Sequence, residues 1–276
     1  MRKKTDLGTV IKYISLSVFA VCCLYPIVWL FLNSFKDNKD LFANPWGLPV
    51  TYHFDNYIRA ITKGSIGQSF VNSIIITVAA VFIAVLLGSM VSYGIARLRF
   101  KYSLFVKSLF LIGLSIPAYA AIVPLFSMFN GMKLLDSYTS VIIAQVVFAF
   151  PITVFILEGF FSTLPAELEE AAVMDGCTAI GTYFKIITPV AKPSIVTVAV
   201  IDFINIWNDL LFPQIFLSSE KKMPLPVALT SFADLDSVDY TGMLAAVVLT
   251  IIPTVFVYMI LHDKIMDGMT AGAVKG

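Results

Sequence analysis

The chain has 276 residues, of which 19 are Lys or Arg and 18 Asp or Glu, so only 13% carry charge, against roughly 25% in soluble domains. With 58% hydrophobic residues and a mean hydropathy of +0.87, it cannot cover a core of this size with polar surface, which places it in a lipid bilayer. The composition excludes a disordered, collagen-like or disulfide-framed chain, and a formal net charge of +1 offers no footing for nucleic acid.

Crossing roughly 30 Å of hydrocarbon takes about 20 apolar residues, and six runs of that kind are predicted as spans. The first, 11–32, follows Arg2, Lys3 and Lys4 and is too long for a signal-peptide core of about 7–15 residues. It ends in Tyr25, Pro26, Trp29 and Phe31, not in a small-residue cleavage site, and reads as an uncleaved anchor. The segment 34–68 reads as an ordered surface lobe or a plain connector. Further spans are predicted at 69–96, 104–129, 140–161, 194–217 and 243–261. Basic residues near span ends set orientation; with the N-terminus inside, twelve of the 19 fall on the cytoplasmic side, led by Arg97, Arg99 and Lys101. The expectation is a bacterial plasma-membrane protein, all-α and multi-pass, with six transmembrane helices and both termini cytoplasmic. Its parts are 1–68 (first helix and outer lobe), 69–262 (a five-helix core with the loop 162–190) and 263–276 (a cytoplasmic tail).

No phosphate-binding loop, paired-histidine zinc motif, nucleophile elbow or acid-rich metal loop occurs in the sequence. Cys22 and Cys23 lie in the first span and Cys177 in a loop, so they suggest no disulfide. On this topology His53 and His262 fall on opposite sides of the membrane. No metal site and no cofactor bound by this chain are expected; any ATP and Mg would belong to another polypeptide.

The loop 162–190 is the most informative stretch. Pro165 suits a first helical turn, and Glu167, Glu169 and Glu170 favour the positive end of the helix dipole. A short helix is predicted to end at Gly176 in a left-handed turn. A second amphipathic piece, 179–187, puts Ile180, Tyr183, Phe184 and Ile187 on roughly one face and is predicted to stop at Pro189. Such a helix–turn–helix with uncovered apolar side chains rests either on lipid or on a protein partner.

Glu170-Ala171-Ala172, Gly176 six positions after Glu170, and Ile186 to Pro189 resemble the EAA loop of ABC importer permeases, with Thr188 where leucine is usual. The C-terminal Met266-Asp-Gly-Met-Thr-Ala-Gly-Ala-Val-Lys-Gly276 is similar to the tail of the maltose-type carbohydrate permeases, in the branch of the MalG subunit. Asp40 to Pro45, Asp55-Asn56-Tyr57, Ile116-Pro117, Val123-Pro124-Leu125 and Trp207 to Pro213 resemble the same branch. The resemblance implies a type I importer permease bundle and a coupling helix at Glu167, Glu170, Ala171, Ala172, Asp175 and Gly176 that docks on an ATPase subunit. It implies tail contacts with the ATPase at Gly268, Thr270, Ala271, Gly272, Lys275 and Gly276. The implied partners are a MalF-like second permease subunit, an ATPase dimer, an extracytoplasmic sugar-binding protein and membrane lipid.

The fifth predicted span carries two carboxylates and two amides. At about 100° per residue, Asp202, Asn205 and Asp209 share an arc of about 60°, and intramembrane ionisable groups generally face a wet cavity or the bundle interior. Asp202, Asn205, Trp207, Asn208 and Asp209 are therefore candidate pathway or substrate-facing residues; a stripe bonded to a neighbouring permease helix is the other reading. Pro117, Pro124 and Pro151 read as kinks. The favoured function is one permease subunit of an ATP-driven carbohydrate importer, with a multiple-sugar or α-galactoside oligosaccharide as the preferred cargo. The other class is a self-sufficient secondary transporter or channel using Asp202 and Asp209.

Overall fold

A computed structural model describes residues 7–63, 65–98, 100–230 and 239–273, without the side chains of 63 and 262–273. Arg99, Lys275 and Gly276 lie outside the described residues, as do the side chains at Gly268, Thr270, Ala271 and Gly272, so the tail expectation is placed only as far as the helical backbone of 268–272. Every element among the described residues is helical. They are α1 (Leu7–Asn33), α2 (Asn38–Ala43), α3 (Asp55–Lys63), α4 (Ile66–Arg97), α5 (Ser103–Gly113), α6 (Ala118–Gly131), α7 (Tyr138–Phe161), α8 (Glu167–Met174), α9 (Ala179–Thr182), α10 (Thr188–Val190), α11 (Lys192–Trp207), α12 (Leu211–Phe216), α13 (Leu225–Thr230) and α14 (Tyr240–Ala273).

Four helices, α1, α4, α7 and the first 22 residues of α14, are each long and apolar enough to cross a membrane. Two more spans are possible only as bent pairs: α5 with α6, bent by 101°, and the run from α9 through α10 with α11, bent by 80°. A continuous third span is thus corrected to a broken one, and the predicted fifth span, 194–217, is interrupted at 208–210 between α11 and α12, while the 80° bend at Ala191 precedes it. Ile116 precedes Pro117, whose ring disfavours α conformation in the residue before it, and Pro117 takes extended angles as the N-cap of α6. Pro124, Pro151, Pro26 and Pro253 sit inside helices. Nor does Pro189 stop the second loop helix. It occupies the first turn of α10, where no amide is needed, after a π-helical turn at Tyr183–Ile187.

Two compact units form, Met1–Ile66 with Leu229–Ile251, and Gly67–Ala228 with Ile252–Gly276. The segment after 228 joins the first unit because Arg59 Nε bonds Asp239 Oδ2 at 3.2 Å, the Thr241 amide bonds Asn38 Oδ1 at 3.3 Å, and Phe42 meets Tyr240 edge-on. In the same unit the segment after α1 is organised around Lys36, a fully buried lysine. Its Nζ donates to the carbonyls of Asn44 at 2.6 Å and Gly47 at 2.8 Å. Asn56 Nδ2 bridges the carbonyls of Ser34 and Lys36, each at 2.7 Å.

The second unit packs α7 between α4, α5 and α11. Gly88 on α4 permits a close approach, since a Cβ there would stand 2.5 Å from Thr153 Cγ2 on α7. At one end of α7, the turn after α6 places Lys133 and Asp136 at positive φ. There the Asp136 carboxylate accepts from the Ser219 hydroxyl at 2.6 Å, the amides of Ser219 and Ser218 at 2.9 and 3.1 Å, and Lys222 Nζ at 2.9 Å. The Ser219 hydroxyl, then its amide, Lys222 and Ser218, hold this carboxyl well below the usual carboxylate range. A depressed carboxylate stabilises the fold above its ordinary pKa, and that contribution fades as pH falls. We therefore expect Asp136→Asn to lower the melting temperature of the detergent-purified protein at pH 7. The gap from wild type should narrow as pH drops below 3.8, the ordinary value.

Candidate functional site

The loop between α7 and α11 folds largely as its residues dictate. Helix α8 carries Glu167, Glu169 and Glu170 in its first turn. It closes on Gly176 at φ +78°, with the Gly176 amide bonded to the Val173 carbonyl and the Cys177 amide to the Ala172 carbonyl, both at 2.9 Å. These paired reverse bonds satisfy the last carbonyls of the helix and require the left-handed residue. Thr178 then caps α9, its hydroxyl accepting from the Gly181 amide at 3.2 Å.

Of the loop residues singled out in the sequence, Ala172 is buried, whereas Glu167, Glu170, Ala171, Asp175 and Gly176 are exposed. The loop's outer surface also shows Val173, Met174 and Ile180, which are 64%, 87% and 68% exposed. Beneath it, Tyr183 packs against Tyr93 and bonds the Ser89 hydroxyl at 2.6 Å, tying the π-helical turn to α4.

A feature the sequence reading passed over is how the loop is held. Arg97, the last residue of α4, contacts Glu169 Oε2 through Nε at 2.9 Å and Nη2 at 2.6 Å, and donates to the carbonyls of Leu164 at 2.9 Å and Pro165 at 3.4 Å. One guanidinium thus binds both the first turn of α8 and the chain entering it, using the planar fork that lysine lacks. Nearby, Lys107 on α5 pairs with Glu158 on α7 at 2.8 Å. In the sequence Arg97 is legible only as an orientation charge and Glu169 only as a helix-dipole residue.

The polar residues of the fifth predicted span reach a cleft of about 230 Å³ lined by Gln145, Phe148, Ala149 and Ile152 from α7, and by Asp202, Asn205, Ile206, Asp209 and Phe212. Thr153 Oγ1 donates to Asp202 Oδ2 at 2.8 Å, and Gln145 Nε2 to Asp209 Oδ2 at 3.1 Å. Asp202, Asn205 and Asp209 therefore converge, although not on one continuous helix. Helix α11 ends at Trp207, and Asp209 sits in the break, its Oδ1 accepting the Leu211 amide at 3.0 Å ahead of α12.

Two of the five candidates lie elsewhere. Trp207 is buried, stacked on Phe203 and edge-on to Phe70, on the side opposite Asp202 as helical spacing requires. Asn208 is exposed, and its amide donates to the Ile204 carbonyl at 2.7 Å, capping the end of α11. Gln145, which completes the polar lining, and Thr153, which holds Asp202 from behind it, went unnoticed because isolated polar residues in an apolar run carry no periodic signal.

With this geometry in place, comparison with known proteins assigns the chain. Residues 80–270 match the family model described as binding-protein-dependent transport system inner membrane component. The chain belongs to this family. It is 32% identical over 267 residues to the diacetylchitobiose uptake system permease protein NgcG of Streptomyces coelicolor, covering 96% of this chain and 88% of that one. To the arabinooligosaccharides transport system permease protein AraQ of Halalkalibacterium halodurans it is 33% identical, covering 100% and 99%. Its fold matches a subunit in the crystal structure of a bacterial ABC transporter that imports alginate, at a TM-score of 0.82 and 24% identity, over 95% of this chain and 98% of that one. The protein is a permease subunit of a binding-protein-dependent transport system, and not an enzyme.

If Arg97 and Glu169 act as one partly enclosed pair, removing either leaves the other charge underserved. Arg97→Ala and Glu169→Ala are each expected to destabilise the purified protein by about 1.5–3 kcal/mol. The double variant should cost clearly less than their sum, as a thermal-unfolding double-mutant cycle will measure.

Proposed function

We propose that this chain supplies half of the translocation pathway of an ATP-driven importer for an oligosaccharide. It pairs with a second, MalF-like permease subunit and works with an ATPase dimer and an extracytoplasmic binding protein. On this reading six spans cross a bacterial plasma membrane, the third as the bent pair α5–α6 and the fifth built on α11, with both termini and the 162–190 loop on the cytoplasmic side. Supporting the topology are the twelve basic residues on that side, the four long apolar helices and the bent pair α5–α6.

The observation that carries the coupling role is the 162–190 loop. It is a short helix closed by a left-handed glycine, anchored from beneath and bare on its outer face, with Val173, Met174 and Ile180 uncovered. Such a rigid, apolar-faced knob suits a cleft in a soluble partner better than it suits solvent. Closure of the ATPases on ATP would push α8 as a body, and the Arg97 grip would carry that displacement into α4. The tail residues Gly268, Thr270, Ala271, Gly272, Lys275 and Gly276 are assigned to the ATPase interface on the resemblance alone. ATP and Mg bind the partner ATPase, not this chain.

A sugar as cargo is supported by the relatives, which include permeases named for diacetylchitobiose and arabinooligosaccharides. A cleft of amide and carboxylate groups with aromatic walls accords with it. Within this class a multiple-sugar or α-galactoside oligosaccharide is the preferred cargo. A self-sufficient secondary transporter is not favoured, since it leaves the exposed loop without a purpose.

The test is substitution at Gly176. A Cβ there meets no neighbour within 4 Å, so the penalty of a side chain comes from backbone conformation alone, about 1–2 kcal/mol. Gly176→Val should insert in the membrane and co-purify with a second permease, yet lose ATP-driven sugar uptake in the reconstituted importer. Gly176→Asn, which tolerates the left-handed region, should keep most of it. Normal uptake by the valine variant would overturn the coupling role.

A further inference from the structure

The cleft between α7 and the α11–α12 break carries information about the cargo beyond its being a sugar. Asp202 is 1% exposed and Gln145 is 4% exposed. Each keeps one buried oxygen, Oδ1 of Asp202 and Oε1 of Gln145, that receives no hydrogen bond from the described residues. Buried acceptors are normally satisfied, and one left alone costs free energy that a donor from a ligand or an ordered water would recover. Both belong to residues lining the same cleft. Next to them the cleft holds Asp209, half-buried, and Asn205, exposed.

Among the described residues that line the cleft none is lysine, arginine or histidine; the polar groups are two carboxylates and two amides. An anion entering such a cleft would give up water with no cation to replace it and would meet the field of any ionised carboxylate. A hydroxyl-rich neutral molecule has the complementary chemistry, since its O–H groups donate to acceptors. Phe148 and Phe212, tilted at 40° with ring centroids 5.2 Å apart, supply apolar wall for a pyranose face.

From this we infer that the half-pathway built by this chain is an anion-excluding cleft that passes neutral, hydroxyl-donating oligosaccharides and rejects uronate, sulfonate and phosphate sugars, with Asp202, Asp209 and Gln145 as the discriminating residues. It rests on the reading that this cleft belongs to the translocation pathway.

The experiment uses the complete importer, purified with its partner subunits and reconstituted in proteoliposomes, with Cys22, Cys23 and Cys177 replaced by Ser. Single cysteines are placed in the cleft as Asn205→Cys or, as a second reporter, Ile152→Cys, and at the exposed lobe position as Thr51→Cys. Modification rates are measured with neutral hydroxyethyl and anionic sulfonatoethyl methanethiosulfonate, with and without ATP. The neutral-to-anionic rate ratio at 205 and 152 should exceed that at 51 by about tenfold, the effect of one uncompensated charge at close range. Adding Asp209→Asn should shrink the excess. Equal ratios at all three positions would overturn anion exclusion while leaving the importer reading intact. Failure of both reagents to reach 205 and 152 in either nucleotide state, while 51 reacts, would remove the cleft from the pathway and overturn that reading as well.

Discussion

Inside a bilayer every backbone amide and carbonyl must find its partner within the protein, because lipid offers none. The structure depends on that constraint most visibly where helices are interrupted. At 114–117 the chain is carried round its bend by short-range bonds, Ser115 to the Ile112 carbonyl at 2.9 Å and Ile116 to the Gly113 carbonyl at 3.2 Å. At 208–210 the side chains do the work: Asn208 covers the Ile204 carbonyl and Asp209 receives the Leu211 amide. Interruptions of this kind are tolerated only against protein or a water-lined cavity, and the second one borders the polar cleft.

The same logic connects cleft and loop. Thr153, which holds Asp202, sits where Gly88 lets α4 approach α7, and α4 ends in the arginine that grips α8. A displacement of α8 therefore has a continuous route of packed and hydrogen-bonded groups through α4 to α7, the helix that forms one wall of the cleft. Tyr183 adds a second tie from the loop to α4 through Ser89. The arrangement puts rigid elements between the exposed knob and the cleft, which is what a mechanically driven pathway requires.

Much of this was legible in the residues. The helix, left-handed Gly176 and second helix of the loop follow from a Pro–Glu-rich start and a glycine at the right distance, and 100° spacing put Asp202 and Asn205 on one face with Trp207 opposite. Periodicity could not reveal the breaks. A count of apolar residues reads 104–129 and 194–217 as continuous, because hydropathy ignores whether Pro117 or Asn208-Asp209 lets the backbone continue. Asp209 reached the predicted cleft by a different path, from a turn instead of a helix face. The Arg97–Glu169 pair was invisible for a related reason: its partners are 72 residues apart, and nothing in the spacing marks them.

The central claim is that α8 is the part of this chain that engages the ATPase. It is tested most directly by placing a photo-reactive benzoylphenylalanine at Met174, 87% exposed at the end of the helix, and irradiating native membranes that contain the whole importer. The account predicts a covalent adduct with an ATPase subunit whose yield changes with ATP, and none from the same probe at Thr51 in the lobe. Adducts with lipid alone, or with the second permease in place of the ATPase, would contradict it.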